Sequence, residues 1–103
     1  MEFAEPWHEI TSEAERKDLS KELRREVSIW HALAWKRPRA IARRQDRDDV
    51  LFELGSDRWA IVHLTWHREW NRHWPATRTF ESSEAVAAQL REDHLDFAGH
   101  SEY

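Results

Sequence analysis

Between Thr11 and Val27 the segment TSEAERKDLSKELRREV is mostly charged, and its large apolar residues, Leu19, Leu23 and Val27, recur every four residues. That spacing predicts an amphipathic helix whose narrow apolar stripe covers one side of a larger layer. Ser12 followed by Glu15 fits a capping box, and acids dominate the first turn. Ser28 to Arg37 carries Trp30 and Trp35 and reads as a packed connector. It ends at Pro38, which has no backbone donor to give a ladder.

Past Pro38 the apolar period shortens. Strands are predicted over Arg39 to Gln45, Val50 to Leu54 and Trp59 to Trp66, separated by the turn-forming runs Asp46 to Asp49 and Gly55-Ser56-Asp57. Connections this short allow only antiparallel hairpins. A loop centred on Ser56-Asp57 places Leu54 opposite Trp59, Phe52 opposite Ile61, Val50 opposite His63 and Asp48 opposite Thr65. One face then holds Leu54, Phe52, Val50, Trp59 and Ile61, and the other holds Leu51, Ala60, Val62, Leu64 and Trp66. A slip of one residue would exchange the two sets. Both faces need cover, one from helices and the other from the connector or a second copy in a homodimer. Thr77 to Phe80 can add a short edge strand. Ser82 or Ser83 can cap a last helix to about Asp96, with Val86 and Leu90 on its stripe. The expected architecture is one α+β domain over 1–103: helix, antiparallel meander of three to four strands, helix. Residues 1–10 and 98–103 are expected as loosely ordered ends.

Composition narrows the function classes. A chain of 103 residues buries roughly two thirds of its unfolded surface, enough for one core. Two Gly and no Cys exclude phosphate-cradling Gly-rich loops, thiolate metal sites and disulfide frameworks. No apolar run approaches the roughly 20 residues of a membrane helix. The acidic, Pro-interrupted start MEFAEPWHEI is unlike a signal peptide, so a bacterial-type cytosol is the expected location.

Charge is segregated. Residues 31–47 carry six bases and one acid, whereas the residues on either side are net acidic and the whole chain is −4. Lys36, Arg37, Arg39, Arg43, Arg44 and Arg47 could form a phosphate-binding footprint, with Trp35 stacking a base. The plainer reading is a strand whose Arg side chains pair with the acidic remainder, because the charge of the whole chain opposes a polyanion.

The block DDVLFELGSDRWAIVHLTW followed by WPATRTF resembles a set of small bacterial proteins sharing a DDVLF segment, a turn, a VHLTW strand and a WP-x-T motif. The likeness spans roughly residues 23 to 80, with ELRREV, His31 and AIARR also in place. It implies a small stand-alone domain and no particular activity. This chain departs from the pattern at His67-Arg68-Glu69-Trp70, where a small turn such as Ser-Gly-Lys is typical.

Three constellations could carry chemistry. His63, His67, Glu69 and His73 are possible divalent-metal ligands. Residues four apart on a strand lie about 13 Å from each other, however, too far to share one zinc, so no metal is expected. Asp48, His63 and Thr65 form a second set, in which the carboxylate would orient the imidazole and the hydroxyl could be deprotonated. Without a visible oxyanion donor pair this corner reads more simply as a capped turn. In the third, Trp59, Trp66, Trp70 and Trp74 alternate with Arg58, Arg68, Arg72, His67 and His73. Trp59 and Trp66 suit the core, while Trp70, Trp74, Arg68, Arg72 and His67 suit a partner surface, because loop aromatics are costly to expose. The expected function is therefore non-catalytic binding of another protein, regulatory or immunity-like, through the aromatic loop 66–75, with no cofactor. Nucleic-acid binding through 36–47 and a small hydrolase at the Asp48 corner are the alternatives.

Overall fold

A computed structural model describes residues 2–26, 37–65 and 76–100. Along the chain run β1 (Trp7–Glu9), α1 (Glu13–Glu26), β2 (Arg39–Arg44), β3 (Asp49–Gly55), β4 (Arg58–His63), β5 (Ala76–Phe80) and α2 (Ser83–His100). The five strands form a single antiparallel meander in chain order, giving the α+β class expected with one strand more. That extra strand is β1, from the end expected to be loosely ordered. Its backbone is tied in on both sides, Gln45 N donating to Pro6 O and Ile10 N to Ile41 O, each at 2.9 Å. One tryptophan and one isoleucine in ten residues make no period, which is why the pattern hid it. At the other end α2 continues past Asp96 to His100.

Both helices start where their caps put them. Ser12 Oγ accepts from Glu15 N at 3.3 Å, and Ser82 Oγ accepts from Ala85 N at 3.1 Å. Glu15, the other half of the expected box, directs its carboxylate to Arg43 at 3.1 Å.

The β3–β4 hairpin decides which side chains face which helix. Ser56 and Asp57 both adopt positive φ, 53° and 57°, making a two-residue turn of the type that suits strand twist. Gly55 opposite Arg58 is the register expected from that loop. The next pair is Glu53 with Trp59, so Leu54 is bulged out and the ladder slips by one. Val50 then pairs Val62, Leu51 pairs Ile61, Phe52 pairs Ala60 and Asp49 pairs His63. The expected face composition is overturned for that reason. A second irregularity between Ala40 and Ala42 adjusts β2 to match.

Each face is covered from within the chain. Leu19 and Leu23 of α1 pack with Ile10, Ala40, Val50, Phe52, Ala60, Val62 and Leu64. Phe52 sits between the fully buried Ala40 and Ala60 on adjacent strands, a large ring flanked by two methyl groups. Val86 and Leu90 of α2 pack with Trp7, Ala42, Leu51, Trp59 and Ile61. Burying each large aliphatic or aromatic side chain contributes about 1.5–3 kcal/mol, so neither face is left waiting for a second copy. The second sheet face, expected to be covered by the connector or a second copy, is covered by α2.

Candidate functional site

The α2 face of the sheet is apolar toward Trp59 and becomes charged toward the opposite end. There β3 begins with Asp49 and β4 ends with His63, which are direct cross-strand partners. His63 Nδ1 lies 2.8 Å from Asp49 Oδ1, with the carboxylate 6% exposed and the imidazole 43% exposed. Arg47 Nε stands 3.6 Å from the second oxygen, Oδ2. A nearly buried carboxylate that fixes one imidazole nitrogen also fixes the ring plane and therefore the direction of the other nitrogen.

Two strands away, Arg44 donates from Nε and Nη2 to the two oxygens of Asp46, both at 2.9 Å. That forked bond is the main reason the Asp46 carboxyl is held below its ordinary range, and it also raises Arg44. The remaining nitrogen, Nη1, is 3.7 Å from Asp93 Oδ2 on α2. Asp93 is buried and accepts from Trp7 Nε1 and Gln89 Nε2, each at 3.0 Å. A carboxylate in the interior is thus met by an indole, an amide and a guanidinium, from β1, α2 and β2, as burial of a charge requires. Between this network and the Asp49–His63 pair opens a cleft of about 370 Å³ floored by Ile61 and bounded by Arg78 and Ala76 of β5.

The expected Asp48, His63 and Thr65 corner is not assembled. The slip at Leu54 brings Asp49 rather than Asp48 to His63. The Asp48 carbonyl accepts from Leu64 N at 3.0 Å. β4 ends at His63, so Thr65 leaves the strand alternation, and its N and Oγ1 donate to Glu26 Oε1 of α1 at 2.6 and 2.8 Å. A hydroxyl held by α1 and an imidazole on the α2 face cannot act together.

The basic segment is divided by the strand period. Arg39 and Arg43 meet Glu13 and Glu15 of α1 at 3.8 and 3.1 Å, while Arg44 and Arg47 serve Asp46, Asp93 and Asp49 on the other side. Arg37 is exposed, and Lys36 lies outside the described residues. The expected partner-binding residues His67, Arg68, Trp70, Arg72 and Trp74 lie outside the described residues, as do Trp66, Glu69 and His73. Of the possible metal ligands only His63 is described, and among the described residues no three His, Asp or Glu side chains group around a common point. Trp59 is in the core as expected, its Nε1 donating to Asp57 at 3.1 Å.

Sequence reasoning missed the Asp49–His63, Glu26–Thr65 and Trp7–Asp93 contacts. For Glu26 a signal existed: it follows Leu19 by seven residues and Leu23 by three, so it occupies the apolar stripe and is fully buried there. No protein-family model matches the chain, and no curated protein or solved structure is significantly similar to it.

Proposed function

We propose that this is a non-catalytic binding domain of a bacterial cytosol, regulatory or immunity-like, which recognises another protein through residues 66–75. The observation that carries the reading is the contrast in loop lengths. The β2–β3 link spans four residues and the β3–β4 link two, but twelve residues separate His63 of β4 from Ala76 of β5, although those two residues pair in the sheet. In compact domains connections between paired strands are usually much shorter, and longer ones often carry function. Its first end is fixed to α1 through Thr65 and Glu26, so its contact residues start from a rigid base. Its sequence, WHREWNRHWP, is rich in Trp and Arg, the residue types most enriched in binding hot spots.

The test is quantitative affinity capture from extract of the source organism with wild-type protein and the Trp70→Ala, Trp74→Ala double variant, with circular dichroism confirming that both fold. A protein captured by wild type alone, with weak salt dependence, supports the reading. Identical capture by both overturns it. Binding that weakens steeply with salt and is abolished by nuclease would point to a polyanion and residues 36–47 instead.

A further inference from the structure

The cleft between β5 and α2 combines features that residues 66–75 do not explain. Asp49 takes up one side of the His63 ring at Nδ1, and Nε2, on the opposite side, has no hydrogen-bond partner among the described residues. Arg78, exposed on β5 and paired in the sheet with Ile61, likewise has no ion-pair partner among them. Both side chains border the same cleft of about 370 Å³, large enough for a small organic ligand and too open to be a packing defect.

The charges around His63 determine what that ligand carries. Asp49 comes from β3, Arg47 from the β2–β3 turn, Arg44 and its partner Asp46 from β2 and the same turn, Arg78 from β5 and Asp93 from α2, beside the neutral Gln89. Among the described residues that border the cleft, Arg44, Arg47 and Arg78 stand with Asp49 and Asp93, and Arg44 is held by Asp46, so protonation of the imidazole adds positive charge to a lining whose carboxylates do not outnumber its guanidinium groups. With Nδ1–H donating to Asp49, a neutral ring offers only a lone pair at Nε2, whereas the imidazolium offers a second N–H. The imidazolium Nε2–H and the Arg78 fork, donors that border the same cleft, match a monoanionic planar acceptor better than a phosphate dianion.

We propose that this cleft is a carboxylate-binding site, in which Arg78 and protonated His63 hold the carboxylate of a small organic acid or of an acidic side chain, Ile61 supports its apolar stem, and binding takes up a proton. Asp49 is a positioning residue, since it touches the imidazole and not the ligand.

Titration of the full chain with glutarate, with N-acetylglutamyl amide and with the uncharged glutaramide tests the site. Calorimetry in buffers of different ionisation enthalpy reports protons, and NMR reports the His63 ring. The expected result is saturable binding of one or both carboxylates with net proton uptake, tighter at lower pH, and none of glutaramide. Preference for glutarate identifies a free acid, and preference for the glutamyl probe identifies a protein side chain. Arg78→Gln, on an exposed strand position that keeps the fold, should weaken binding about tenfold, the loss of one charge-assisted contact. His63→Gln should bind without proton uptake. Equal response to glutaramide, no saturation by roughly tens of millimolar carboxylate, or an Arg78→Gln variant that binds like wild type would overturn the proposal.

Discussion

One oxygen of Glu26, at the C-terminal end of α1, accepts both the backbone N–H and the side-chain hydroxyl of Thr65, thirty-nine positions later, at 2.6 and 2.8 Å. Glu26 is completely buried, so its charge depends on such donors. The bond joins the helical layer to the chain at the point where β4 has just ended.

Removal of the two partners should therefore have unequal effects. Glu26→Ala takes the acceptor from both Thr65 donors and should cost about 1–3 kcal/mol for each of them. Thr65→Val keeps the backbone bond and loses only the hydroxyl, for about 1–3 kcal/mol. Urea denaturation checks this, and a Thr65→Val cost equal to that of Glu26→Ala would show that the backbone bond carries nothing.

Asp93 supports a comparable ordering. Trp7→Phe preserves most of the buried ring and removes one of the donors to Asp93, leaving Gln89 and Arg44 in place, so a loss of about 1–3 kcal/mol is expected. Asp93→Ala strands the indole N–H and should cost at least as much. Thermal unfolding of both variants measures the difference.

The Arg44–Asp46 fork makes a pH prediction. Because the folded carboxyl lies below its ordinary value of 3.8, chiefly through the hydrogen bonds from Arg44, the pair's stabilisation is complete above that value and disappears as pH falls through the lower folded one. The stability difference between wild type and Asp46→Asn should thus be constant from neutrality to about pH 5 and shrink below pH 4. A difference that stays unchanged to pH 2 would show that the pair is not coupled to folding.

Three adjacent turn residues should respond in different directions. Gly55 has φ of 89° with open space around the position of a Cβ, so Gly55→Ala should destabilise by about 1–2 kcal/mol through backbone strain and not through collision. Ser56→Gly relieves a positive φ and should be neutral or stabilising by up to about 1 kcal/mol. Asp57→Gly also relieves strain but removes the acceptor of Trp59 Nε1 and of Ser83 N at the start of α2, and should be net destabilising. Guanidinium denaturation of the three variants gives the order.

Much of the fold was legible because local rules sufficed. Ser12 and Ser82 capped their helices, Pro38 preceded β2, and Ser56-Asp57 made the predicted tight turn. The candidate site was less legible. Asp48, His63 and Thr65 were chosen by a register that holds at Gly55 and Arg58 and fails one residue later. His63 did keep an aspartate partner, but the neighbouring one. β1 was invisible because three residues carry no period, and what holds them is pairing with β2 more than thirty residues on and the bond from Trp7 to Asp93, eighty-six residues away.

The order of elements, their caps and turns, and the demand that both sheet faces be covered were set by residue spacing alone, since helix period, strand alternation and turn chemistry act over a few residues. Which face each side chain joined was decided in three dimensions. With the bulge at Leu54, Phe52 and Val62 pack under α1 and Leu51 and Ile61 under α2, since a shift of one residue exchanges every partner along a strand. That exchange placed Asp49 beside the imidazole at the mouth of the cleft, while the end of β4 at His63 let Thr65 turn to Glu26 of α1.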